Sequence, residues 1–391
     1  MKLTNNRYYF DFNATSPLSQ SVHDWLRRGD SFLANPASIH TDGKKSKRLI
    51  EETSDALFEL FGLDENQFSL LFHSGATEGV NTLIKGRAQF LYEKGKRLHF
   101  TYVSTDHACI TEIPADLNPY GHESSAVSVD RDGEVPPAEW KRITETLKTA
   151  GETALINCTW GNNETGVVFD FAPFIEWKEK TGGKIHVDAV QSVAKIENWQ
   201  KLDPRIDAYT FSAHKFGALK GVGFSFVKKD FDFVPLLRGG DQQTGMRSGT
   251  QNVEGIYSIK LALADIQQKS QVTELYRLKN FIETEISKAL GDRGEILAEK
   301  AALRTANTIC LKISGVRADT LLTAFDLAGM DISTGSACSS ATVKPSRVLL
   351  EMGYTEIEAK SAVRLSFSPL MTEDEAREFL EKIVPVLKRF L

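Results

Sequence analysis

Short apolar runs alternate with longer stretches of helical periodicity through the first two-thirds of the chain. The apolar runs predict strands over residues 69–72, 98–103, 154–158, 184–187, 208–211 and 223–227, and helical patterns such as 42–61 and 78–94 lie between several of them. Strands separated by helices are typical of a largely parallel sheet that helices cover on both faces. We therefore expect an α/β fold.

The last third of the chain has a different pattern. Residues 250–291 are mostly helix formers, with no Gly or Pro between Ile256 and Leu290, and could connect two lobes. The pattern next predicts a strand over 307–313, a helix over 318–328, a short strand over 331–334 and a terminal helix over 372–391. We place a boundary near Gln268, which gives a large domain of residues 15–267 and a smaller α+β domain made of 1–14 and 268–391.

Composition narrows the class of protein. The 391 residues suit roughly two to three domains, and the net charge of −5 argues against a surface built to bind nucleic acid. The chain has no run of 18 apolar residues and no apolar signal segment near its N-terminus, so we expect no membrane contact and a cytoplasmic location. The cysteines are far apart and form no C-x-x-C pair, which fits free thiols in a reducing compartment and predicts no metal site: Cys109, Cys158, Cys310 and Cys338.

Small polar residues cluster where three predicted strands end, at 74–77, 161–166 and 212–215. In an open parallel sheet, ligands bind beyond the carboxyl ends of the strands, so we expect one shared crevice. The segment 74–78 opens a helix, and its backbone N–H groups at Gly75 and Ala76, with the Thr77 hydroxyl, would suit a phosphate. The alternative is an ordinary helix cap of small residues, which is commoner for such a segment taken alone.

Two charged residues end further strands. Asp188 would be a buried carboxylate that keeps a ring nitrogen protonated, or an acid that caps the next helix. Lys215 would be a desolvated amine that attacks an aldehyde, or a surface lysine that reaches solvent; Ser212 and His214 beside it are further groups for an anion. A phosphate site, an acid and a lysine in one crevice are what pyridoxal 5′-phosphate requires.

Three more residues are candidates. His107 follows another strand and could stack on a flat ring or move protons, or could simply begin a helix. Arg364 has a planar fork that suits a carboxylate, or a structural salt bridge. Cys338 lies in the small-residue run 333–341, where a thiol has no packing role, so a nucleophilic role is favoured.

Taken together, eight segments carry a resemblance that runs nearly end to end. They are DFNATSP at 11–17, NPASIH at 35–40, SGATE at 74–78, NNETG at 162–166, HVDAVQ at 186–191, SAHK at 212–215, GMRSGT at 245–250 and GSACSS at 335–340. The chain resembles the NifS/IscS-like cysteine desulfurases of the class V (fold type I) aminotransferase superfamily. The resemblance implies a fold type I transferase, with a mostly parallel seven-stranded sheet in the large domain and a smaller α+β domain.

The resemblance also implies roles for matching positions. Lys215 should form an imine with pyridoxal 5′-phosphate, and His107 should stack on its ring and assist proton transfer. Arg364 with Asn163 should hold the substrate carboxylate, and Thr250 should reach the phosphate of a neighbouring subunit, which implies a homodimer. The implied cofactor-binding set is Gly75, Ala76, Thr77, His107, Asn163, Asp188, Gln191, Ser212, His214, Lys215 and Thr250.

The implied reaction converts L-cysteine to L-alanine. Cys338 takes the sulfur as a persulfide and passes it to an acceptor protein, such as an iron–sulfur scaffold or a tRNA-thiolation carrier. Departures from the family pattern occur at Ala218-Leu219, Phe367-Ser368 and Lys344-Pro345, and Phe367 could crowd the substrate. Two alternatives stay open: a related selenocysteine or cystine lyase, in which Cys338 is dispensable, and a non-catalytic binding protein that retains the fold.

Overall fold

The computed structural model describes residues 7–29, 33–335 and 344–391. The α-helices of these residues are Gln20–Arg27 (α1), Thr41–Phe61 (α2), Ala76–Glu93 (α3), Ala108–Thr111 (α4), Ile113–Leu117 (α5), Pro137–Leu147 (α6), Ala172–Thr181 (α7), Val253–Lys269 (α8), Val272–Leu290 (α9), Ala318–Leu327 (α10), Arg347–Glu351 (α11), Glu356–Ala359 (α12) and Glu373–Leu387 (α13). The strands are Tyr8–Tyr9 (β1), Phe68–His73 (β2), His99–Val103 (β3), Glu123–Val127 (β4), Ala154–Thr159 (β5), Lys184–Asp188 (β6), Ala208–Ser212 (β7), Gly223–Lys228 (β8), Gly294–Ile296 (β9), Thr308–Ile313 (β10), Met330–Asp331 (β11) and Ala362–Ser366 (β12).

A seven-stranded sheet forms the centre of the larger part of the molecule, in the order β2-β8-β7-β6-β5-β3-β4. The pairs from β7 to β4 are parallel, whereas β8 runs antiparallel to both of its neighbours. The six strands predicted in this region are confirmed, and β4 is an additional strand that the sequence pattern did not predict. The fold is therefore the expected α/β type with a mostly parallel sheet.

Strands β5 and β7, near the centre of this sheet, are buried on both faces. Their apolar side chains on one face join a large core with helices α2, α7 and α8, whereas Leu155 and Ala208 on the other face pack in a separate core with helix α3. A strand that is buried on both faces has a continuous run of apolar residues instead of alternating apolar and polar residues. These runs allowed the strands to be predicted from the sequence. Runs of β-branched and aromatic residues therefore form the sheet, and helices pack on its two faces.

A second core surrounds a three-stranded antiparallel sheet of order β12-β10-β9. Its apolar residues come from Phe10 and from 275–387, and β1 pairs in parallel with β11. The predicted helical stretch 250–291 is two helices, α8 and α9. The division into 15–267 and 1–14 with 268–391 stays a prediction, which the position of Phe10 in this second core supports.

The carboxyl ends of the parallel strands position the polar clusters. Strand β2 leads into 74–77 before α3, β6 ends at Asp188, and β7 ends at Ser212, which a short 3₁₀ turn over Ala213–Lys215 follows. Because β5, β6 and β7 are adjacent and parallel, their ends meet at one edge of the sheet. Among the described helices, none is both long and apolar enough to span a bilayer.

Candidate active site

A cavity of about 530 Å³ lies at the carboxyl edge of the seven-stranded sheet. It brings together most of the residues that the sequence singled out, which come from the ends of β2, β3, β5, β6 and β7. The predicted site residues that line it are Gly75, Ala76, Thr77, His107, Asn163, Asp188, Gln191, Ser212, His214 and Lys215. The expectation of one shared crevice is confirmed.

Lys215 presents a partly desolvated amine to this cavity. Its Nζ atom donates to the backbone carbonyls of Asn13 and Ala14, each at 2.7 Å. Burial, reinforced by the positive charge of Arg364, lowers the pKa of Lys215 to about 8, against the opposing effect of the Asp11 and Asp188 carboxylates. About a tenth of this amine is therefore unprotonated and nucleophilic at pH 7, far more than for an ordinary lysine.

Asp188 lies at the last position of β6 and is 3% exposed. One carboxylate oxygen accepts a hydrogen bond from the backbone N–H of Val190 at 3.0 Å. Burial raises the pKa of Asp188 to about 7, the Val190 bond and the Lys215 charge lower it, and the nearby Asp106 raises it. A buried carboxyl of this kind gains most from a cationic partner, such as a protonated ring nitrogen.

The first turn of α3 supplies anion-binding groups. Gly75 precedes the helix, and none of the described side chains caps the helix start, so backbone N–H groups of the first turn are available to an anion in the cavity. A Cβ atom on Gly75 would have no heavy atom within 4 Å, in keeping with open space there. Thr77, Ser212 and Lys220 line the same cavity.

His214 and His107 are neutral imidazoles beside the lysine. His214 Nδ1 is 3.0 Å from the Thr15 hydroxyl, and burial followed by the Lys215 charge lowers the pKa of His214 to about 4. His107 Nδ1 accepts a hydrogen bond from the backbone N–H of Cys109 at 3.2 Å. Desolvation and the charges of Lys215 and Arg347 lower the pKa of His107. A neutral ring suits stacking and proton transfer.

Beneath the cavity, one row of buried polar side chains crosses the sheet. In this buried polar row, each member is within 3.0 Å of the next: Asp106, Asn157, His186, Thr210, Ser225 and His73. On β5, β6 and β7 the row lies two residues before Thr159, Asp188 and Ser212, so it shares their face of the sheet, one layer further from the cavity.

In the buried polar row, each side chain donates its hydrogen bond to the neighbour that lies nearer to Asp106. The Asn157 amide nitrogen donates to the Asp106 carboxylate at 2.8 Å, so its oxygen accepts from His186 Nδ1. Burial lowers the pKa of His186 to about 3, so the ring is neutral and its Nε2 accepts from Thr210. Asp106 also accepts from the N–H groups of Val103 and Thr159. These donors offset the burial that raises the pKa of Asp106 to about 6.

Some predicted site residues lie elsewhere. Arg364 does not line the cavity; its guanidinium pairs with Asp11 at 2.6 Å and donates to the Asn163 carbonyl at 3.0 Å. Thr250 is exposed and lies outside this chain's cavity, and Cys338 lies outside the described residues. Phe367 is fully buried against Phe10 and Phe379 rather than crowding the cavity, as the sequence suggested it could.

Further residues of the site were not predicted from the sequence. Thr15, Thr159 and Lys220 line the cavity, and Asp106 lies beneath it. Thr15 belongs to the 11–17 segment, and Asp106 immediately precedes the predicted site residue His107. Polar residues in apolar strands, such as His186 and Asn157, were the available signal for the buried polar row.

The side chains present fit a pyridoxal phosphate group. An amine with a lowered pKa, a buried carboxyl at a strand end and an uncapped helix start open into one cavity. These are the partners needed by an aldehyde, a ring nitrogen and a phosphate, respectively. The fold and the cavity define a pyridoxal phosphate enzyme of fold type I.

Comparison with known proteins agrees with this assignment. The chain belongs to the aminotransferase class-V family, whose model matches residues 8–379. It is 31% identical to a protein named cysteine desulfurase IscS from Dictyoglomus turgidum, over 97% of this chain and 95% of that one. It is 30% identical to the putative cysteine desulfurase IscS 1 of Bacillus subtilis, over 98% and 99% of the two chains. A solved NifS-like protein from Rickettsia africae superposes with a TM-score of 0.82 at 27% identity, covering 97% of this chain and 99% of that chain.

Proposed function

We propose that this chain is a cysteine desulfurase that converts L-cysteine to L-alanine and passes the sulfur first to the thiol of Cys338. The observation that carries the proposal is that Lys215, with a pKa of about 8, shares one cavity with the buried Asp188. Relatives named cysteine desulfurases match over nearly the whole chain and support this substrate.

When bound, pyridoxal 5′-phosphate supplies an aldehyde for an amine and a ring that stores the electron pair from the substrate's α-carbon. The Lys215 amine would be the nucleophile for that aldehyde and the base that moves the substrate's α-proton. Asp188 would keep the ring nitrogen protonated, and the neutral His107 would lie against the ring and assist proton movement. Asn163 and Gln191 would donate near the phenolic oxygen, and the phosphate would be held by Gly75, Ala76, Thr77, Ser212 and His214.

In this scheme, the substrate carboxylate competes with the Asp11 carboxylate for the Arg364 guanidinium. Arg364, with Asn163, is the proposed carboxylate receptor, and in the structure its guanidinium is paired with Asp11 and the Ser333 hydroxyl. Its Nε atom has no hydrogen-bond partner within the described ranges. A buried donor without a partner favours an incoming acceptor.

In the sulfur step, the Cys338 thiolate bonds to the substrate sulfur as the bond between that sulfur and the β-carbon breaks. The remaining three-carbon fragment takes up protons and leaves as alanine, and Cys338 carries a persulfide. An acceptor protein, such as an iron–sulfur scaffold or a tRNA-thiolation carrier, then receives the outer sulfur. We propose a homodimer as well, in which the exposed Thr250 reaches the partner's phosphate.

The test uses purified protein, L-cysteine and a thiol reductant. We expect a visible absorption band from bound cofactor, and sulfide and alanine released in equal amounts. Cys338→Ser should abolish sulfide release while substrate still perturbs the band. Cys109→Ser is the matched control: its thiol lines the cavity, but burial and the Asp188 charge raise the pKa of Cys109, which makes it a poor nucleophile.

The outcomes separate the open alternatives. Sulfide release that survives Cys338→Ser would favour a selenocysteine or cystine lyase. If Cys109→Ser loses activity instead, Cys109 and not Cys338 is the thiol that accepts the sulfur. Protein that binds the cofactor without turning over any of these substrates would leave only a binding role.

A further inference from the structure

Lys195 is a buried lysine without an acidic partner among the residues that the structure describes. It is 1% exposed, its Nζ atom is 2.5 Å from Oε1 of Gln191, and it is 3.5 Å from Oδ1 of Asn13. Burial, together with the positive charges of Lys215 and Arg364, lowers the pKa of Lys195 far below its usual value. A lysine kept in such surroundings does not serve an ordinary ion pair.

The contacts of Lys195 fix which way the Gln191 amide points. Gln191 Nε2 donates to the backbone carbonyl of Asn13 at 3.0 Å. Because a carbonyl oxygen only accepts, the amide nitrogen must face Asn13 and the amide oxygen must face Lys195. The Lys195 amine can donate to both oxygen partners whether it is charged or neutral, so this orientation does not depend on its protonation.

Asn13 connects this arrangement to the reactive amine. The same Asn13 carbonyl that accepts from Gln191 also accepts from Lys215 Nζ at 2.7 Å. The Asn13 side-chain oxygen accepts from Lys195 and, at 3.1 Å, from the amide of Asn307. Gln191 and Lys215 line the cavity whereas Lys195 does not, so Lys195 lies one contact behind two site residues.

The backbone next to Lys195 has a disfavoured conformation. Ala194 has a φ of 56°, in the left-handed region that residues with a Cβ atom rarely adopt. The Lys195 carbonyl accepts from the N–H of Ala306 at 2.7 Å, which ties the turn to a segment far along the chain. A disfavoured conformation persists only where surrounding contacts impose it.

We propose that Lys195 is a positioning residue of the reaction: through Gln191 and Asn13 it holds the Gln191 amide nitrogen and the Lys215 amine in place for the cofactor. A role for Lys195 in the reaction rests on the proposed function, whereas its effect on the orientation of the Gln191 amide does not. Lys195 acts on the cofactor only through residues that touch the cavity.

The experiment is a double-mutant cycle of Lys195→Met and Gln191→Ala in the full chain. Bound cofactor is removed, pyridoxal 5′-phosphate is titrated back, and the visible band gives the dissociation constant and the rate of incorporation. We expect Lys195→Met to weaken cofactor binding about tenfold in the wild-type background, the size of one misplaced hydrogen bond. In the Gln191→Ala background we expect a clearly smaller loss than in the wild-type background, because the Gln191 contact is gone and only the contact through Asn13 remains.

Lys279→Met is the matched control. Lys279 is 2% exposed and lies near Glu283 in the second core, so its loss reproduces the removal of a buried lysine away from the cavity. We expect this variant to bind cofactor with wild-type affinity. An equal loss in Lys279→Met, equal losses of Lys195→Met in both backgrounds, or unchanged affinity in Lys195→Met would each overturn the proposal.

Lys195→Gln keeps N–H donors at this site and should bind the cofactor more tightly than Lys195→Met does. If Lys195→Met does not fold, the same cycle is run with Lys195→Gln, and a smaller but still non-additive loss of affinity is expected. Additive losses there would also overturn the proposal. A wild-type protein that binds cofactor but releases no sulfide would refute the proposed function and leave this cycle interpretable.

Discussion

The reactivity of Lys215 should follow a titration midpoint set by its surroundings. With a pKa of about 8, about half of the amine is unprotonated at pH 8. At the ordinary value of 10.5 only about 0.3% would be unprotonated, so the structure increases the reactive fraction more than a hundredfold. Because a lysine reacts as the free amine, the rate of cofactor incorporation should rise with pH through about 8 and then level off.

Two variants move this midpoint in opposite directions. The Arg364 charge lowers the pKa of Lys215 and the Asp11 charge raises it, and the two side chains form a salt bridge at 2.6 Å. Arg364→Gln should therefore raise the midpoint, and Asp11→Asn should lower it. The double variant should return towards the wild-type value, because the two charges are removed together.

The assay is stopped-flow absorbance after pyridoxal 5′-phosphate is mixed with cofactor-free protein, from pH 6.5 to 10. The same cofactor with a free lysine derivative corrects for titration of the cofactor itself. Arg304→Gln is the matched control, since Arg304 is a similarly buried arginine paired with Glu283 away from the cavity. A wild-type midpoint near 10, or shifts of the same sign in both site variants, would refute the reasoning.

Two further predictions concern the buried polar row and the start of α3. Asn157→Leu leaves Asp106 without one of its donors and should reduce the free energy of unfolding by about 2–5 kcal/mol in urea titrations. Thr101→Val, at a buried hydroxyl without a partner within the described ranges, should change it by less than about 0.5 kcal/mol; equal losses would contradict the role of the row. Gly79→Ala places a Cβ atom 2.5 Å from His73 Nε2 and should displace the first turn of α3. Cofactor binding, measured by titration, should weaken at least about tenfold, and unchanged affinity would show that the turn does not hold the phosphate.

The site residues of the motifs could be predicted because each lies at a strand end or a helix start that the local sequence pattern indicates. Ser74 to Thr77 follow an apolar strand and open a helix, and Lys215 follows another strand within a few positions. Parallel strands then impose a common edge, so the shared crevice follows from the strand pattern alone. The wrong expectation at Phe367 has the opposite cause: this residue follows Arg364 by three positions in sequence, but its ring packs in the second core.

The amino-acid sequence alone predicts the α/β fold, the polar clusters at the strand ends and the lysine–acid pair, because apolar runs and turn residues act over short stretches of chain. The tertiary structure alone shows that Arg364 pairs with Asp11, that six polar side chains line up beneath the cavity, and that Lys195 contacts both Gln191 and Asn13. These contacts join residues up to 353 positions apart, and a buried polar group in one strand gains its meaning from the partner that another strand brings to it.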